Sequence, residues 1–261
     1  MAVDAPSAAD SITADVTLSS PDWELRTKLT VPAGPIRMRQ MLPLVQVLTD
    51  RVVDASTETV RSQGQQVSCT KGCGACCRQL VPIAQLEARN IREVVEQTPE
   101  PRRSTIRARF AEARRRLVES GLFERLQERD EWQEGESRTL GMQYFHLGIP
   151  CPFLENESCS IYHDRPVACR EYLVTSPAAN CARPTAETVK IVPLPFHVWT
   201  AMARVDDESR RAPWVPLILA TEWADAHLEE SAARPGPELL RGLFDQITHQ
   251  TNLAAGDRAG K

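Results

Sequence analysis

The chain has 261 residues, 42% hydrophobic and 25% charged, with a formal net charge of −4. That length suits one large domain or two small ones with a buried core, and the composition excludes a chain disordered throughout. The mildly acidic balance argues against the broad basic face of a nucleic-acid binder, so no nucleic-acid partner is expected.

Residues 1–12, rich in Ala, Ser and Asp, read as a disordered tail, and residues 13–255 as a single domain. The opening Met1-Ala-Val-Asp-Ala-Pro6 has neither the basic nor the apolar stretch of a secretory leader. No apolar run reaches membrane-spanning length, so no membrane association is expected and the cytoplasm is the expected compartment.

In chain order, Val16–Leu18 and Leu25–Val31 alternate apolar with polar residues and predict a hairpin around Ser20-Pro21-Asp22, followed by a turn from Pro32 to Pro35. Pro43 suits a first helical position, and Leu44, Val45, Leu48, Val52 and Val60 share a face up to Gly64. Pro82 is expected to open a second helix carrying Ile83, Leu86, Ile91, Val94 and Val95. A third, from Pro101, carries Ile106, Phe110, Ala113 and Leu117 until Gly121 breaks or bends it. Tyr144–Leu147 reads as a strand, Cys151–Tyr162 as a tight hairpin turning on Glu155–Ser158, and Pro166 as the start of a short helix carrying Cys169. Thr188–Val192 reads as a strand, with helices near 195–205, 216–230 and 237–250, the last with an apolar face of Leu239, Leu240, Leu243, Phe244 and Ile247. The expected fold is mainly α with small β hairpins.

The eight cysteines dominate the chemistry. In a reduced compartment they point to metal ligation rather than disulfides. Four fall within nine residues, Cys69-Thr-Lys-Gly-Cys73-Gly-Ala-Cys76-Cys77. The glycines let the backbone curl so that sulfurs converge and expose N–H groups toward them, and Lys71 adds positive charge. Adjacent Cα atoms lie about 3.8 Å apart, below the roughly 4.4 Å an unstrained disulfide needs, so Cys76 and Cys77 are expected to point apart. They would then serve two sites, or one metal site and the core. Cys151, Cys159, Cys169 and Cys181 follow with seven, nine and eleven residues between them, and join a site only if the fold brings them to the first loop.

Structural zinc sites commonly pair two short Cys-x2–4-Cys units, and the second group has none. Thiolates bunched on a Gly-rich loop suit an iron–sulfur cluster, expected as [4Fe–4S], with zinc as the alternative. The spacing of Cys69, Cys73 and Cys76 also equals the radical-SAM pattern, but Ala75 replaces the usual aromatic and the repeated strand–helix units of a β/α barrel are missing.

Taken in order, Cys-x3-Cys-x2-Cys-Cys, Cys151-Pro-Phe-Leu, Cys159-Ser-Ile-Tyr, Arg165-Pro166 and Cys169-Arg170 resemble the YkgJ-type cysteine-cluster proteins, whose domain is described as zinc- or iron-chelating. The resemblance covers about residues 65–182 and all eight cysteines. It implies a metal centre and a relationship to the flagellin lysine-N-methylase, thought to use an iron–sulfur centre in methyl transfer.

Arg165 and Arg170 are candidate cofactor contacts, because a guanidinium fork can offset an anionic thiolate cluster or bind a substrate carboxylate. Ion pairs with Asp164 or Glu171 are the competing role. Tyr162 and Tyr172 are expected to shield the cluster, and His146 and His163 are alternative ligands. The arginines between 102 and 116 read as a solvated helix face paired with Glu112 and Glu119, or as a dock for an acidic partner or substrate protein. No catalytic residue stands out.

Overall fold

Alternating side chains in the first described segment pair into an antiparallel hairpin, β1 (Ser11–Ser19) with β2 (Glu24–Pro32), Ser19 lying opposite Glu24. The computed structural model describes residues 11–133, 135–185, 187–207, 213–228 and 231–259. The hairpin turn closes through Ser20, whose hydroxyl accepts the Asp22 and Trp23 N–H groups at 3.2 Å each. A short pairing of β3 (Pro35–Ile36) with a later strand follows, and then α1 (Leu42–Ser62), with Pro43 in its first turn. Val45, Leu48, Val52 and Val60 are buried along one face of α1 as their spacing predicts, and Leu44 is half-buried.

Pro82 does not open a helix. Pro82–Ala84 is β4, and α2 (Gln85–Gln97) begins only after it. Proline restrains the residue before it to extended backbone, and Val81 uses its carbonyl to accept the Leu217 N–H at 2.8 Å. Next come α3 (Arg102–Glu119) and α4 (Leu122–Gln127), separated at Gly121, whose φ of 72° ends the first helix where the sequence predicts. Tyr144–Leu147 is not a strand. Tyr144 to His146 close α5 (Glu136–His146), because Leu140 and Tyr144, one turn apart, both bury against the third core cluster.

The predicted small hairpin is present as β5 (Leu154–Glu155) and β6 (Ser158–Cys159), and α6 (Val167–Glu171) starts after Pro166. Residues 188–192 form no full strand. They contribute one bridge, Val174 with Ile191, flanked by Thr175 N–H to Lys190 O and Val192 N–H to Leu173 O, both 2.8 Å. The chain continues through α7 (Val198–Asp206), β7 (Trp214–Pro216), α8 (Ala220–Ala226), β8 (Arg234–Pro235) and α9 (Gly236–Ala259). The helix expected over 216–230 is thus a strand end, a 3-10 turn and the shorter α8, with 229 and 230 outside the described residues. β4 pairs with β7, and β3 with β8.

The fold is mainly helical, and each sheet among the described residues is a two-stranded antiparallel pair. α1, α7, α9 and the first hairpin enclose one apolar core, in which Leu239, Leu240, Leu243 and Ile247 of α9 are buried. α2, α3 and α8 build a second around Ile91, Ile106 and Trp223, and the end of α3 with α4 and α5 a third around Leu117 and Leu126. Among the described residues no helix is long and apolar enough to cross a membrane.

Candidate metal centre

The Gly-rich segment 69–77 folds as successive tight turns, with Cys73 N–H to Thr70 O at 3.1 Å and Cys77 N–H to Gly74 O at 3.0 Å. Its two ends dock on different parts of the chain. At the start, Ser68 N–H donates to Val174 O at 2.9 Å and Val174 N–H donates to Cys69 Sγ at 3.3 Å. At the end, Cys151 N–H donates to Cys77 O at 2.7 Å. Gly74 lies flat against the β5–β6 hairpin, where a Cβ would stand 2.6 Å from Glu157 O. Arg78 fastens the same junction with two hydrogen bonds to the Glu157 carboxylate, 2.6 and 3.0 Å.

The hairpin turns through Asn156 and Glu157, both left-handed at φ 50° and 57°, which matches the strand twist of a two-residue turn. Cys151 receives the Phe153 N–H and Cys159 the Ile161 N–H, the same two-residue step in both. Such donors stabilise a thiolate sulfur.

Cys169 is positioned by α6, and α6 by buried carboxylates remote from it in sequence or bonded beyond it. Glu87 of α2, itself buried, accepts the Val167 N–H at 2.7 Å and the Ala84 N–H at 3.0 Å. Glu171 accepts the Val198 and Trp199 N–H groups at the start of α7, at 2.6 and 3.2 Å, and contacts His197 Nδ1 at 2.9 Å. Glu87 could have been flagged as an acid in the first turn of α2. Nothing local marks its reach across to α6.

Together these docks place all eight cysteines on one cavity of about 230 Å³. Its lining includes no His, Asp or Glu, so His146 and His163 do not face it. Phe153, Ile161 and Leu217 wall it from the second core cluster, and Tyr162, Tyr172, Lys71 and Arg165 are among the other lining residues. The Arg165 guanidinium lies over the Tyr162 ring at 4.2 Å and Lys71 Nζ stands 5.4 Å from the same ring. Arg165 Nε is buried without a hydrogen-bond partner.

Arg170, expected beside Arg165 at the centre, does not line the cavity. It bonds Asp50 of α1 at 2.8 and 3.1 Å and the carbonyls of Arg165 and His163, which leaves it structural. Its acidic partner is Asp50, remote in sequence, rather than Asp164 or Glu171.

Burial pushes most of the thiols up: Cys151 to about 12, Cys181 to about 11, Cys169 well above its usual value, and Cys69 and Cys159 less. Cys76 moves the other way, to about 7, because Cys77 donates a hydrogen bond to it. The Arg165 charge favours the thiolates of Cys76, Cys159 and Cys69. Among the described residues no three Cys, His, Asp or Glu side chains are gathered closely enough to hold an ion. Metal entry must therefore displace protons and turn sulfurs inward. The donor set suits it: eight soft sulfurs fit zinc or an iron–sulfur cluster and not a hard, oxygen-seeking cation.

The α3 arginines are engaged within the chain. Arg107 pairs with Glu96, Arg114 with Glu222, Arg115 with Glu112 and Glu119, and Arg102 and Arg109 both reach Glu155.

No curated protein and no solved structure shows a match to the chain. A family model does match residues 68–189, under the description "CxxCxxCC: Putative zinc- or iron-chelating domain". That span contains the clamped loop, the hairpin, α6 and all eight cysteines, so over residues 68–189 the chain is similar to a zinc- or iron-chelating cysteine-cluster domain.

Proposed function

We propose that the chain holds a [4Fe–4S] cluster on its cysteines and uses it in redox or group-transfer chemistry. One observation carries this reading: the cavity is lined by eight thiols and no imidazole or carboxylate, inside an apolar wall. When bound, such a cluster supplies electron transfer, or a Lewis-acid iron where one position is not closed by a thiolate. The chain's own groups suit that task. Phe153, Ile161 and Leu217 supply apolar walls, backbone N–H groups directed at Cys69, Cys151 and Cys159 would favour their thiolates once a metal displaces the protons, and Arg165 and Lys71 would offset the charge. A protein-lysine methylation-like reaction is the group transfer that the cysteine pattern suggests, and it rests on that pattern alone.

A structural or carried zinc or iron ion is the second reading. The segments supplying Cys69 to Cys77, Cys151, Cys159 and Cys181 contain only turns, a two-residue hairpin and a 3-10 turn, and coordination would hold them in place.

Anaerobic isolation followed by iron, sulfide and zinc analysis separates the two. A brown protein with iron and sulfide in equal amounts supports the cluster. A colourless protein with stoichiometric zinc and no sulfide overturns it.

A further inference from the structure

We propose that the eight cysteines form two four-thiolate centres side by side: Cys69, Cys73, Cys76 and Cys181 in one, Cys77, Cys151, Cys159 and Cys169 in the other. This deepens the metal-binding reading above and depends on it.

The two-ended docking of the loop is the first ground. Its start is fastened to Val174 by a backbone bond and by the Val174 N–H on Cys69 Sγ, and the chain from Val174 runs on through a short 3-10 turn to Cys181. The turn from Thr70 to Cys73 keeps Cys73 at this end. Its far end is fastened to Cys151 and to the hairpin carrying Cys159. Cys151 and Cys159 also both pack against the second core cluster.

The second ground is which sulfurs neighbour one another. Those acting on Cys181 are Cys69, Cys76 and Cys73. Those acting on Cys77 besides Cys76 are Cys151 and Cys159, and Cys169 is acted on by Cys151, Cys76 and Cys159. Cys76 acts on members of both groups and so stands between them.

The third ground is capacity. Structural zinc and a [4Fe–4S] cluster each take four cysteines, so one centre leaves four of the cavity's thiols unused. In the metal-free chain Cys77 donates to Cys76, against the expectation that the vicinal pair points apart, so the division requires that bond to break as each sulfur turns to its own centre.

The test is an anaerobic cobalt(II) titration of the metal-free full-length chain, read by sulfur-to-cobalt charge-transfer absorption. Two equivalents with four-sulfur spectra are expected for the unaltered chain. One is expected for the Cys69→Ser/Cys181→Ser variant and one for Cys151→Ser/Cys159→Ser, each retaining a four-sulfur spectrum. Saturation of the unaltered chain at one equivalent overturns the division, as does loss of both equivalents by either variant with helical circular dichroism intact. If a variant fails to fold, the endpoint of the unaltered chain decides. A chain that takes up no cobalt, zinc or iron overturns the metal-binding reading itself, whereas one equivalent leaves that reading standing.

Discussion

Gly74 and Glu157 meet backbone to backbone: a Cβ on Gly74 would stand 2.6 Å from the Glu157 carbonyl oxygen and 2.5 Å from Leu154 Cδ1. Only a residue without a side chain lets the cysteine loop lie against the hairpin. Gly74→Ala should lower stability by about 1–3 kcal/mol, because the backbone on the far side cannot rotate away. It should also lower metal content, because the loop and Cys151 separate. Thermal unfolding and metal analysis check both. Gly34→Ala, with open space around it, is the control and should change stability by less than about 0.5 kcal/mol.

Arg170 should behave as a structural residue. Arg170→Met removes the bonds to Asp50, His163 O and Arg165 O and should cost about 2–3 kcal/mol in chemical denaturation, toward the low end for a broken buried pair because Asp50 is half-exposed. Metal stoichiometry at saturation should not change, since the side chain does not line the cavity. Loss of metal with stability intact would contradict this placement.

Glu87 should make stability fall as pH rises. Burial lifts its carboxyl from 4.5 to about 7, so between those values the folded chain holds a proton that the unfolded chain has released. Stability from this group is fully present below about pH 4.5, declines through the interval by up to about 3 kcal/mol, and levels off above pH 7. Glu87→Gln should flatten that slope in urea denaturation curves taken across the range. An unchanged slope would show that Glu87 is ionised throughout.

Cys76 should be the most reactive of the thiols with displaced pKa values. In the metal-free, reduced chain, iodoacetamide should modify it before Cys69, Cys151, Cys159, Cys169 or Cys181, with a rate midpoint near pH 7. Cys77→Ala removes the donor that stabilises the Cys76 thiolate and should slow the reaction at neutral pH. Bound metal should protect Cys76. Peptide mass spectrometry reads all three outcomes.

Where residues act on near neighbours, the sequence is legible. The alternation in 16–31 foretells the first hairpin, Pro43 the start of α1, Gly121 the end of α3, and Glu155–Ser158 the small turn. The cysteine set is legible because thiols at such density have few other uses. Partners from a distance are not. Pro82 and Tyr144 depart from the sequence expectation because apolar residues bounded by proline or polar positions fit strand and helix alike, and the deciding contacts come from Trp214–Pro216 and from the third core cluster. Arg170 sits beside a cysteine in sequence, but Asp50, 120 positions away, decides where its side chain points.

The carboxylates above and below Cys169 give α6 a mechanical role. Glu87 grips its first amide, and Glu171, at its last turn, grips the first amides of α7. A single-turn helix thus forms a rung between the sulfur cavity and a helix of the main core, with no other link needed. Any movement of Cys169 on taking up or losing an ion is passed along this rung to Val198 and Trp199. The hydrogen-exchange rates of those two amides should therefore report metal occupancy from outside the cavity.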